Sequence, residues 1–171
     1  MDSRRYAFEG AEPSIDDEAA VSRDAVLVGD VEVASGASVW PGVVLRGDIG
    51  PVRIGSHTHV GDNATIHASR LADRVMVGHG AVLNEATVED NALVGFNATV
   101  NTDATVGRGS VVAAGTVIPD EYDIPPESFV RGVPAEITPL EETTIDPEAI
   151  FEDFSSGDYT NLAQRHGDLF E

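Results

Sequence analysis

The side chains in this 171-residue sequence that could bind a metal or move a proton are five histidines (His57, His59, His67, His79 and His166) and thirty carboxylates, with no cysteine. Without cysteine there is neither a disulfide nor thiolate chemistry. Imidazole and carboxylate remain: ring nitrogens that ligate a divalent metal, or groups that exchange protons near neutral pH. Arg46, Asp48, Asp62 and Asn84 lie among the histidines. Polar side chains of this kind are ordinarily just solvated, so what they can do depends on which of them the fold brings together.

The fold is written in a repeat. From Val88 an aliphatic residue recurs every six positions, at Val88, Val94, Val100, Val106, Val112 and Ile118. Upstream the same period gives Val21, Leu27, Val33, Val39 and Leu45, takes three extra residues within 47–53, and resumes at Ile54, Val60 and Ile66. Leu71, Val77 and Leu83 complete seventeen positions, with one residue missing after Ile66 and again after Leu83. Four residues after most of these stands a small residue, among them Ala25, Ala37, Ala64, Ala81, Thr87 and Ala98, and the aliphatic residue itself is often followed directly by glycine, as at Gly55, Gly61, Gly78, Gly95 and Gly107. A helix would show a period of 3.6, and hairpins would alternate with turns. A period of six predicts a solenoid, each hexad giving one short strand and one corner, and three hexads one triangular coil.

The expected architecture is therefore an all-β parallel β-helix of five to six coils over 21–122, after an extended segment at 1–20. Pro119, Pro125, Pro126 and Pro134 close it, with a proline-rich stretch over 123–145. Asp146-Pro147 offers an N-cap and a proline at the first helical position, opening a helical segment over 146–171. Ser155-Ser156-Gly157 ends that first helix, and Tyr159, Leu162, Ala163, His166 and Phe170 form one stripe of a last helix. The stripe packs on the solenoid or on a neighbouring subunit, and His166 reads as a packing residue.

Coil arithmetic sets distant residues side by side. Leu45, Ile66, Leu83 and Val100 share one face, so Arg46, His67, Asn84 and Asn101 stack directly after them. Val39, Val60, Val77 and Val94 share another, and two positions on stand Pro41, Asp62, His79 and Phe96. His67 and Asn84 are thus neighbours, while His79 sits on a different corner. It meets them only across an interface of threefold symmetry.

Charge excludes other functions. Thirty acids stand against ten bases, every base is arginine, and the net charge of −20 repels nucleic-acid phosphates. The acids are spread along the chain, as on a folded surface rather than a tail, and high salt would screen their repulsion. This points to a salt-loaded, halophilic cytoplasm. No secretory apolar stretch follows Met1–Arg5 and no run spans a bilayer, so a cytoplasmic protein without membrane partners is expected.

Trp40-Pro-Gly-Val-Val-Leu-Arg46-Gly47-Asp48, then Ile54 through Asp62-Asn63-Ala-Thr-Ile-His67, then Val77-Gly78-His79-Gly-Ala, resemble the signature of γ-class carbonic anhydrases. Ile124-Pro-Pro-Glu-Ser and Gly132-Val-Pro-Ala resemble that family's closing segment, and 159–166 its terminal helix. The resemblance implies a left-handed β-helix of the hexapeptide-repeat superfamily. It implies a homotrimer with a divalent metal at each interface, zinc foremost, with iron or cobalt as alternatives. The metal lowers the pKa of a water to about 7, giving hydroxide for the reversible hydration of CO2 to bicarbonate. By motif, His67 is one ligand, a neighbour's His79 another, and the third histidine falls at Asn84. Arg46 and Asp48 match a pair that salt-bridges between subunits, and Asp62 a carboxylate that orients a ligand.

The sequence departs from the family in four places. Asn84 replaces an imidazole with a weaker amide ligand. A glutamine expected at position 61 is Gly61, and an asparagine expected at 59 is His59. The loop after His67 is only Ala68-Ser69-Arg70, with no proton-shuttling glutamate. His59 either turns toward His67 and a neighbour's His79 as a substitute ligand or is simply packed, and His57 reads as surface. The alternatives to a carbonic anhydrase are a catalytically inactive trimeric scaffold and, further off, a hexapeptide-repeat acyltransferase.

Overall fold

In a computed structural model of the protein, residues 4–157 and 161–170 are described. Tyr159 of the expected stripe lies outside them. The chain winds as a left-handed parallel β-helix. All seventeen repeat positions point inward, and none is more than 7% exposed. Each such aliphatic side chain is worth roughly 1.5–3 kcal/mol when fully buried. The period of six is thus the period of the core.

Three faces form a triangular prism. The first stacks Ala20–Val21, Ser38–Val39, His59–Val60, Met76–Val77, Leu93–Val94, Val111–Val112 and Ser128–Arg131. The second runs from Arg4–Tyr6 through the starts of two long strands, Val26–Val33 and Val44–Ile54, to Thr65–His67, Val82–Asn84, Thr99–Val100 and Val117–Ile118. The third begins at Ser14–Ile15, takes the ends of the same long strands, and continues through Arg70–Leu71, Thr87–Val88 and Thr105–Val106 to Asp123–Ile124. Each face has seven rungs, about seven coils rather than five to six. The additional rungs come from residues 4–15 at the start and 123–131 at the end.

Corners need small inward residues, and Ala25, Ala37, Ala64, Ala81, Ala92 and Ala98 are at most 1% exposed. Thr87 is not among them: it is exposed, and Ala86, 2% exposed, fills the corner. The coil is one residue short after Leu83, so the fourth residue on has already left the corner. The longer excursion lies opposite. Gly29 pairs with Gly47 and Val31 with Val52, so residues 48–51 bulge against the single Asp30.

Glu136–Pro139 pairs antiparallel with Ser128–Arg131 and ends the solenoid. Helix α1 (Pro147–Ser155) starts as expected, the Asp146 side chain accepting from the amides of Glu148 and Ala149, and ends at Ser156. The expected last helix is two four-residue pieces, α2 (Leu162–Arg165) and α3 (Gly167–Phe170), separated by His166. This end docks on the solenoid: Arg23 N–H donates to the Leu169 carbonyl at 2.9 Å, and the rings of His166 and Phe170 stand edge-on to Trp40. Among the described residues no helix is long and apolar enough to cross a membrane.

Candidate metal centre

His67 closes a strand of the second face, and the ladder pairs it with Arg46 below and Asn84 above, as the repeat predicts. Its side chain is only 11% exposed. Nδ1 stands 2.9 Å from Asn84 Oδ1 and Nε2 stands 2.8 Å from Asp48 Oδ1. The Arg46 Nη2 atom is 3.2 Å from Nε2 and 3.4 Å from Nδ1. Nearly equidistant from both, it lies over the ring rather than on either in-plane lone pair. Arg46 Nε also meets Asp48 Oδ2 at 3.3 Å within the same chain.

Asp48 reaches His67 because of the bulge. Gly47 passes so close to its neighbour that a Cβ there would lie 2.2 Å from the Asp30 carbonyl oxygen. Arg53 ties Asp30 in turn, at 2.8 and 3.2 Å from its two carboxylate oxygens, and these bonds hold the Asp30 carboxyl below its ordinary value. Partial desolvation pushes the Asp48 carboxyl up. Hydrogen bonds from His67 and from the amides of Asp48 and Ile49, together with the charge of Arg46, outweigh this and hold it low. Asp48 is thus an anion fixed against an imidazole.

His79 stands on the other corner, 57% exposed. The Asp62 backbone N–H donates to His79 Nδ1 at 3.0 Å, Asp62 Oδ2 stands 2.9 Å from the same nitrogen, and Phe96 stacks on the ring at 5.2 Å and 7°. Both contacts fall on Nδ1, so Asp62 orients the ring through that nitrogen and Nε2 is the one it leaves without a partner from Asp62. The expected stack of Asp62, His79 and Phe96 is what brings these groups together.

His59 is on the first face, whereas His67 is on the second. Trp40 Nε1 donates to His59 Nδ1 at 3.0 Å, and Ser38 Oγ is 3.1 Å from the same atom. Burial, with a smaller push from His79, takes its pKa down to about 4, against a slight pull from Asp62. Within one chain this is a packed, neutral histidine. His57 is an exposed corner residue at φ 57°.

Among the described residues of one chain, no three histidine, aspartate or glutamate side chains converge as a metal site. One chain supplies His67 Nε2 and Asp48 Oδ1 side by side, which fits half of a divalent site, and the remaining donors would have to come from another copy. An open cleft of about 2010 Å³ lies elsewhere, between the first face and the C-terminal helices, lined by Trp40, His59, Met76 and Phe170 and by neither His67 nor Asp48.

The chain is similar to known proteins. Residues 85–120 match the family model described as bacterial transferase hexapeptide (six repeats). A protein of Methanocaldococcus jannaschii named "Probable carbonic anhydrase" is 42% identical over 122 residues, 68% of this chain and 77% of that protein. "Gamma carbonic anhydrase 1, mitochondrial" of Arabidopsis thaliana is 37% identical over 165 residues, covering 90% of this chain, which spans 59% of that relative's length. A solved structure of a hexapeptide transferase family protein from Anaplasma phagocytophilum superposes with a TM-score of 0.87 at 28% identity, over 97% of this chain and 99% of that one. With its repeat, its corner histidines and relatives at this identity, the chain belongs to the γ-class carbonic anhydrase family.

Proposed function

We propose that the protein is a homotrimeric, γ-class carbonic anhydrase-like enzyme that interconverts CO2 and bicarbonate with a divalent metal, zinc foremost, held between subunits. The carrying observation is the placement of the two histidines. His67 and His79 are each ordered by a carboxylate, at 2.8 and 2.9 Å, yet they stand on different corners, so only a second copy can bring them together. A divalent cation bound there supplies the Lewis acidity that makes water a nucleophile near neutral pH. Asp62 fixes the His79 ring, Arg46 covers the face of His67, and the His67 side chain is itself largely buried.

Elemental analysis of the protein purified in high salt, followed by stopped-flow CO2 hydration, tests this. The expected result is close to one metal per chain and an activity that His67→Ala and His79→Ala each abolish. No metal after incubation with zinc, cobalt or iron would overturn it in favour of the scaffold reading. One observation supports that second reading: a side chain at Gly61, the family's glutamine position, would start 3.0 Å from both the His79 amide nitrogen and the Val77 carbonyl oxygen. An acyltransferase reading rests on the shared fold, and fold does not fix chemistry.

A further inference from the structure

We propose that Asp48 is the third protein donor of the metal centre, and that Asn84 is not a weakened ligand but the positioning residue of His67. This rests on the metal-dependent reading above and names the donor set that reading leaves open.

An imidazole has two in-plane binding directions, and they diverge. Asn84 Oδ1 occupies the Nδ1 direction at 2.9 Å and Asp48 Oδ1 the Nε2 direction at 2.8 Å. A cation on one nitrogen can therefore be shared with one of these residues and not with the other. The amide orientation of Asn84 decides which. Its Nδ2 donates to Thr102 Oγ1 at 2.9 Å and to Glu85 Oε1 at 3.2 Å, two acceptors, so the oxygen is the atom that faces His67. It accepts the Nδ1–H. This is the outer partner that fixes the tautomer of a metal-ligating histidine and presents the lone pair on the other nitrogen.

At that other nitrogen stands the Asp48 carboxylate, hydrogen-bonded to the ring at 2.8 Å. Two electron-rich atoms 2.8 Å apart need a proton or a metal cation between them. Two ligands of a tetrahedral zinc stand about 3.4 Å apart when each is about 2.1 Å from the metal, so the pair has to open by about half an ångström. Asp48 can follow, because it lies on the bulge over 48–51 and not in the regular ladder. Its second oxygen remains on Arg46 Nε at 3.3 Å, as ligating carboxylates are themselves hydrogen-bonded. With His79 from a second copy the set becomes two imidazoles and one carboxylate, leaving a position open for substrate water.

The test uses the full-length protein in molar KCl, stripped with chelator and titrated with cobalt(II), reading affinity and the visible ligand-field bands. Asp48→Asn should weaken cobalt binding by at least about 100-fold and shift the bands. Asn84→Ala should weaken it by about 10–100-fold and leave the bands in place. Asp48→Asn within threefold of wild type, with unshifted bands, overturns the proposal while the interface reading stands. His67→Ala with wild-type affinity, or no cobalt bound by the wild type, overturns both. Should Asp48→Asn fail to assemble, the zinc-loaded wild type decides by ¹⁵N histidine resonances: metal on His67 Nε2 with Nδ1 protonated supports the proposal, and metal on Nδ1 overturns it.

Discussion

Replacing His59 with asparagine should remove a proton-linked loss of stability that wild type suffers in mild acid. The ring sits beneath Trp40, whose indole N–H has nothing to do but donate, and it donates to Nδ1 at 3.0 Å. Protonating Nδ1 would set donor against donor in a partly buried site. Burial first, and the nearby His79 second, take the folded pKa from 6.5 to about 4. Because the folded value is the lower one, the unfolded chain takes up the proton first. Stability is full above 6.5 and is lost as the pH drops from there toward 4. At about 1.36 kcal/mol per pK unit, the loss between about pH 7.5 and about pH 5 comes to about 2 kcal/mol. Asparagine keeps an acceptor oxygen near the Nδ1 position and does not titrate. The carboxylates titrate alike in both proteins, so they cancel in the comparison. Chemical denaturation in molar KCl at the two pH values measures the difference directly. Wild type should lose about 2 kcal/mol more than the variant, and parallel losses would refute the account of a neutral, indole-bonded histidine.

The net charge of −20 predicts a melting temperature that climbs steeply from low to molar KCl as repulsion is screened, and a flat response in thermal scans would show that the acids do not oppose folding. Gly47→Ala should destabilise the protein by about 1–3 kcal/mol, since the new methyl would lie 2.2 Å from a backbone oxygen that cannot swing aside. A denaturation midpoint equal to wild type would mean that the bulge carrying Asp48 is more pliant than its geometry implies.

The core was legible because a solenoid repeats one packing decision. An aliphatic residue every six positions has a single inward direction, and every one of the seventeen lies in the core. The ends were less legible. Ile124 and Val130 keep the same spacing and are buried, but the prolines around them resemble a terminator. At the start Arg4–Tyr6 is exposed on its outer coil, so no apolar signature marks it as a rung. The break at His166 was also hidden, because a stripe of apolar residues reports which side faces the protein and not whether the helix is continuous.

The site divides the same way. Stacking put Arg46, His67 and Asn84 in one column and Asp62, His79 and Phe96 in another, and those columns hold. Stacking says nothing about residues that leave the ladder. Asp48 returns to His67 through a bulge of four residues facing one, and no count of hexads specifies that path. The signal that could have found it is Gly47 between two charged residues at the point where the period slips, a close backbone approach with side chains thrown to either side.

A triangular prism also constrains where chemistry can happen. Every corner of a single solenoid is convex, and donors on a convex edge diverge, whereas a ligand site has to be concave. His67 and His79 illustrate the consequence: the first is held between Asn84 and Asp48, the second by Asp62, and neither can face the other on one chain. Corner donors of this kind converge only where the corner of one copy would meet the corner of the next. In such an architecture the individual chain does best to prepare half-sites, with rotamer and tautomer set in advance, and to leave assembly to complete them. The His67 column is organised in that way, with Asn84 on one nitrogen and Asp48 on the other, so the loss of a third imidazole at position 84 need not be the loss of the site.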